Sequence, residues 1–121
     1  MEDLAFGDLK LRVEAPEGGP LTVVWEGKSV DRQPGKVLDP YFTSLLASAK
    51  GAARAIEMRF DRVEHFNSST ITSIIGLVQR ARAEGVRLAL VYDKAQKWQR
   101  LSFDALRVLG KNDGLLEVRS V

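Results

Sequence analysis

The stretch EHFNSSTITSIIGL, Glu64 to Leu77, decides how this chain is read. It sets three consecutive hydroxyl residues, Ser68, Ser69 and Thr70, in front of an apolar run of helical spacing. Ile71, Ile74, Ile75, Val78 and Ala81 trace one face of a helix, Arg80, Arg82 and Glu84 mark its wet side, and Gly85 ends it. Asn67 or Ser68 can cap that helix by accepting hydrogen bonds from its first free amides. A cap needs one such residue, yet four polar residues stand in a row here, with Thr72 and Ser73 behind them. A helix N-terminus also carries unpaired N–H groups and partial positive charge. A phosphate added there is locally favoured and presents about two negative charges to a docked partner. Two readings therefore stand together: a cap alone, or a site that is bound or modified.

Outward from this stretch the pattern alternates between strand and helix. AIEMRFDRV before it sets Ile56, Met58 and Phe60 against Glu57, Arg59 and Asp61, the period of two that makes a strand. VRLALVY after it, Val86 to Tyr92, is an apolar run suited to a central buried strand. Nearer the N-terminus, Leu9 to Ala15 alternates again, PEGGP supplies turn chemistry, and LTVVWEG from Leu21 returns as a second strand, so the two predict a hairpin. A polar loop, KSVDRQPGKVL, leads to a helix expected to start with Asp39 as N-cap and Pro40 at its first position. Phe42, Leu45, Leu46 and Ala49 form its apolar face, and Gly51 closes it. A last helix is expected over 95–109, with Trp98, Leu101, Ala105, Leu106 and Leu109 inward and Gly110 as its stop. An NDG turn then leads into a short strand, LLEVRSV. The order β-β-α-β-α-β-α-β in a single domain over 1–121 predicts an α/β fold with a mixed or mostly parallel sheet and helices against it.

Composition narrows the chemistry. With 45% hydrophobic and 28% charged residues, the chain is of ordinary globular composition. Eighteen Lys and Arg against sixteen Asp and Glu leave a net charge of only +2, too balanced for a nucleic-acid binder. Lys94, Lys97, Arg100, Arg107 and Lys111 do fall together. No cysteine is present, which excludes disulfides and thiolate chemistry, and the one histidine leaves no ligand spacing for zinc. Neither a membrane-spanning run nor a signal peptide is visible, so the expectation is a cytoplasmic protein that is not embedded in a membrane.

Catalytic motifs are similarly sparse. His65 would have to serve any Ser-His pair, and Asp61 and Glu64 are its nearest carboxylates, but no nucleophile elbow surrounds Ser68. Phosphate loops and dinucleotide fingerprints are missing as well, so the chain is not expected to be an enzyme or to hold a cofactor. Trp25 and Trp98 are expected to pack as core. Trp98 sits within KAQKWQR, which places its ring near the domain edge, where exposure would mark a partner surface.

With these elements in place, FNSSTITSIIGLVQRARAEGVRLALV resembles the hallmark of STAS domains, the anti-sigma-factor antagonists and sulfate-transporter domains. The typical run there is an apolar residue, Asp-Ser-Ser-Gly, an apolar helix, a glycine and a buried strand. The resemblance implies a STAS-like domain with a mixed, mostly parallel sheet and its helices mainly on one face. It implies phosphorylation at Ser68, with Ser69 the second candidate, by a serine kinase that doubles as the anti-sigma factor, and resetting by a metal-dependent serine phosphatase. ATP and magnesium would belong to the kinase. The implied partner surface comprises Asp31, His65, Asn67, Ser68, Ser69 and Thr70. The chain departs from the pattern with Asn67 for aspartate and with Thr70 and Thr72 for two glycines, and Gly27, Val30 and Asp31 only loosely echo an earlier Gly-x-apolar-Asp signature. Other members imply another role, a non-phosphorylated subunit of a lipid-transport ABC complex or stress-signalling scaffold, and the helix end by itself allows a third, a small anion- or ligand-binding module. A homodimer is compatible with any of them.

Overall fold

Period-two segments become strands and the apolar helical faces close over one side of them. The computed structural model describes residues 1–111 and 113–121. Asn112, the first residue of the expected NDG turn, lies outside the described residues. The strands are β1 (Leu4–Phe6), β2 (Leu9–Glu14), β3 (Leu21–Ser29), β4 (Ile56–Arg59), β5 (Val63–Phe66), β6 (Leu88–Tyr92) and β7 (Leu116–Ser120). The helices are α1 (Gly35–Gly51), α2 (Ser68–Ala83) and α3 (Lys97–Leu106), the last continued by a 3₁₀ turn at Arg107–Leu109. All the expected elements are present, together with β1 and β5, which the sequence pattern does not reveal.

Sheet order is β1-β2-β3-β4-β6-β7, with β5 paired to β3 alone. The β1-β2-β3 meander is antiparallel, whereas β3-β4, β4-β6 and β6-β7 are parallel and joined through the three helices. β3 is long enough to hold two parallel neighbours in succession. Leu21–Val24 pairs with β4 and Gly27–Ser29 with β5, with a shift of register between Gly27 and Lys28. On its other side Gly27 lets β3 pass close to the turn between β1 and β2. Its φ is +86°, and a Cβ there would lie 1.9 Å from the Asp8 carbonyl oxygen.

One hydrophobic cluster unites alternate residues of the strands with all three helices, so the helices share one face of the sheet. Trp25, Phe42, Phe60 and Phe103 are its largest fully buried members. Among the described residues the other face carries no helix. Across it, register aligns Arg12, Val24, Arg59, Val91 and Arg119 in one row, beside a second row of Glu14, Thr22, Glu57, Ala89 and Glu117. Arg12 pairs with Glu14 at 2.9 Å, and Arg119 with Glu57 at 2.6 Å and Glu117 at 3.2 Å. These in-plane pairs finish the open face for water; each contributes at most about 1 kcal/mol.

Three expectations need correction. Asp39 is not an N-cap, and Pro40 lies inside α1, which begins a full turn earlier at Gly35 after Pro34. Leu38 is fully buried with Phe42, Leu45, Leu46 and Ala49, so extending the apolar stripe backwards outweighs the amide hydrogen bond that Pro40 cannot make. Gly51 likewise belongs to the helix, and the left-handed residue that ends α1 is Ala53 at φ +53°. In α3 the inward residues are Gln99, Phe103 and Leu106, while Leu101 is 59% exposed and Ala105 also faces outward. Gln99 holds that phase: its side-chain amide donates to the carbonyls of Phe60 (2.8 Å) and Val63 (3.0 Å), and its Oε1 accepts from Asp93 N–H at 2.8 Å. A buried polar side chain with all these partners fixes the helix more firmly than a methyl-rich stripe could.

Candidate functional site

At the C-terminal ends of β3 and β5 the chain assembles the hydroxyl cluster. Asn67 leaves β5 in extended geometry and caps α2, its Oδ1 accepting from Thr70 N–H at 2.9 Å and from Thr70 Oγ1 at 2.8 Å. Its side-chain amide donates to the Asp31 carbonyl at 2.7 Å, and its backbone N–H to the Ser29 carbonyl at 3.0 Å. Asn67 thus uses both halves of its amide, and this explains its presence. Aspartate could accept the two Thr70 bonds but would turn a second oxygen towards the Asp31 carbonyl.

Thr70 is fully buried, and Ser29, at 4% exposure, meets its hydroxyl at 2.7 Å. With Thr70 donating to Asn67, Ser29 donates to Thr70, so each buried hydroxyl is satisfied. The threonine therefore fills the place of a glycine with a hydroxyl that ties α2 to β3. Asp31 is exposed, and its carboxylate accepts from Gln33 N–H at 2.8 Å, shaping the loop that Asn67 holds. Beside this loop a cleft of about 290 Å³ is lined by Phe6, Gly7, Asp8 and Lys28 among others.

Ser68 and Ser69 differ from Asn67 and Thr70 in that neither serine hydroxyl makes a hydrogen bond among the described residues, and Ser68 is the more exposed of the two. Ser68 is the first residue of α2, and its carbonyl accepts from Thr72 Oγ1 at 3.1 Å. Ser69 is half-buried. The amides of Ser68 and Ser69 lie in the helical turn that has no intrahelical acceptor, whereas Thr70 N–H is already engaged by Asn67. Of the residues expected in the site, the structure brings Asp31, Asn67, Ser68, Ser69 and Thr70 together. His65 is exposed on β5 with its ring 5.8 Å from that of Trp98, and no hydrogen bond links it to Ser68 among the described residues. Ser29 belongs to the site although nothing local in the sequence marks it.

Among the described residues no group of three or more His, Cys, Asp or Glu side chains is placed to hold a metal ion. No described helix is long and apolar enough to cross a membrane.

No family model matches the chain, and no curated protein matches it by sequence. Solved structures similar to it include the following two. The anti-sigma factor antagonist SpoIIAA in its unphosphorylated form superposes with a TM-score of 0.51 at 13% identity, over 80% of this chain and 97% of that one. An uncharacterised protein of the DUF3478 family from Shewanella loihica, with a SpoIIAA-like fold, gives a TM-score of 0.57 at 10% identity, over 95% and 88%. The mixed sheet of seven strands with three helices is consistent with this likeness, and the chain has a SpoIIAA-like α/β fold.

Proposed function

We propose that this chain is a regulatory protein-binding module whose contact surface is the loop and helix start built from Asp31, Asn67, Ser68, Ser69 and Thr70, with Ser68 the residue that receives phosphate. The carrying observation is the contrast within one turn. Asn67 and Thr70 are committed to internal hydrogen bonds, while Ser68 is exposed with its hydroxyl free of internal bonds among the described residues. A phosphate on Ser68 would lie near the amides of Ser68 and Ser69 and the positive end of α2, so it would stabilise the domain by about 0.5–1 kcal/mol rather than disrupt it. Two added negative charges would then act on whatever is docked there. The partner class is the anti-sigma factor that is also a serine kinase, with a serine phosphatase to reset it; SpoIIAA, similar in fold, is an anti-sigma factor antagonist with an unphosphorylated form. The role is binding, in the cytoplasm, without a cofactor.

Binding of an anti-sigma kinase to purified wild type, Ser68→Ala and Ser68→Asp tests this reading. Ser68→Ala should bind as wild type and Ser68→Asp at least tenfold more weakly; equal binding by all three overturns it. A second reading, a non-phosphorylated subunit of a larger assembly, is favoured by Asn67 itself, since a neutral amide stands where the pattern places an acid. It predicts a stable complex on gel filtration that Ser68→Asp does not disturb.

A further inference from the structure

Helix α3 carries two apolar stripes and uses one. Phe103 and Leu106 face the core around Gln99. Trp98, Leu101 and Ala105, at spacings of three and four, form the other and share an arc of about 60° at 100° per residue, and Val108 of the following 3₁₀ turn continues the apolar surface. Leu101 is 59% exposed and Val108 81%, two of the five large exposed apolar side chains among the described residues. The stripe is not isolated. Its first member, Trp98, is half-buried with its ring 5.0 Å from Phe66, and its indole N–H donates to Gln96 Oε1 at 3.2 Å. From there the apolar surface runs roughly 15 Å along the helix, away from the hydroxyl cluster.

The border of the stripe is basic. Lys97 and Arg100 are exposed along one side, and exposed Lys94 and Lys111 stand at the two ends. Arg107 is tied down, donating to the Val118 carbonyl and the Tyr92 hydroxyl, each at 2.8 Å. Asp104 is the one acid of the border and sits 3.7 Å from Arg107. A surface of this kind repels a second copy of itself and attracts an acidic one. Its aromatic residue turns inward on Phe66 instead of outward, unlike an aromatic anchor at a lipid interface, and its apolar centre has no stacking aromatics for a nucleic acid.

The geometry points to the outer face of α3 as a second docking surface, separate from the Ser68 site, for a protein partner that presents an amphipathic helix with acidic residues beside its apolar face. Leu101 and Val108 supply the apolar contact, and Lys97 and Arg100 set the charge of the partner and its orientation.

A displayed library of random sixteen-residue peptides, selected on the full chain, tests this. The expected result is enrichment of sequences with apolar residues at helical spacing flanked by Asp and Glu. These should bind saturably, at least tenfold more weakly to Leu101→Glu or Val108→Glu, several-fold more weakly to the Lys97→Glu, Arg100→Glu double variant, and unchanged to Ser68→Asp. Circular dichroism melts confirm that each variant stays folded, as exposed positions should allow. Failure to enrich, enrichment of basic or uncharged peptides, or undiminished binding by Leu101→Glu overturns the proposal. So does loss of binding in Ser68→Asp, which would make the two surfaces one. Leu101-dependent binding to phosphatidylglycerol vesicles without peptide selection assigns the face to membranes, and a Leu101-dependent dimer assigns it to a second copy; either result overturns it.

Discussion

Helices α1 and α2 have the same job in the fold and solve its two ends differently. Their C-termini share one geometry. In α1, Ala53 N–H donates to the Lys50 carbonyl and Arg54 N–H to the Ala49 carbonyl; in α2, Gly85 donates to Arg82 and Val86 to Ala81. Both are the six-to-one and five-to-two pattern that closes a helix through a left-handed residue. Glycine fills that position in α2 at φ +69°, alanine in α1 at φ +53°. Their N-termini share nothing. α2 starts under an asparagine cap joined to two buried hydroxyls and a neighbouring loop, whereas α1 starts at Pro34 with no side-chain cap and relies on burying Leu38. Polar contacts are concentrated at the start of α2, where the candidate site is, whereas the start of α1 has no side-chain cap and rests on the burial of Leu38.

The comparison can be broken at each of these points. Leu38→Ala should cost the most, about 3 kcal/mol in urea unfolding, because it empties a fully buried position on which the uncapped start of α1 depends. A loss below about 1 kcal/mol would mean that α1 is held at its N-terminus by something other than burial. Thr70→Val keeps the shape and removes the hydroxyl, leaving Ser29 Oγ buried without its partner. About 2 kcal/mol should be lost. Asn67→Asp should cost about 1 kcal/mol, even though an acid is favoured at a helix start, since the donor to the Asp31 carbonyl disappears. Faster hydrogen exchange at Gln33 would show the loop loosening. If the variant is more stable than wild type, that bond is not what selects asparagine.

The smallest effects test the shared C-termini. Ala53→Gly should stabilise by about 1 kcal/mol, and Gly85→Ala should destabilise by a similar amount, because a Cβ on Gly85 meets no atom within 4 Å and only its backbone angle matters. The double exchange should return the melting temperature close to that of wild type. A sum far from zero would show that the two ends are not equivalent after all.

Much of this was legible in the sequence, and the failures have physical causes. α2 and a polar cap at Asn67 or Ser68 follow from local chemistry, since polar caps and apolar periodicity act within one or two turns, and the structure selects Asn67. β5 escapes because Val63 and Phe66 are buried and Glu64 and His65 are not, a pattern without alternation over only four residues. β1 has three residues and takes its order from pairing with β2. Pro40 misleads because Asp-Pro is a strong local start signal that burial of Leu38 overrides. In α3, Trp98, Leu106 and Leu109 do pack against the core, but Leu101 and Ala105 mislead for the opposite reason: they continue an apolar pattern outward, while the inward face includes a glutamine. Ser29 could not have been found, because its partner Thr70 is 41 residues away and the contact is a property of the register between β3 and β5.

Ser68 is exposed, whereas Asn67 and Thr70 are locked into internal hydrogen bonds, and the proposed role makes Ser68 the residue that receives phosphate. Phosphosite mapping by mass spectrometry, on the full chain incubated with ATP, magnesium and an extract containing its serine kinase, tests that most directly. Phosphate should appear on Ser68, at most in small part on Ser69, and not at all on buried Thr70. An unmodified Ser68, with phosphate absent or confined to other residues, would contradict it.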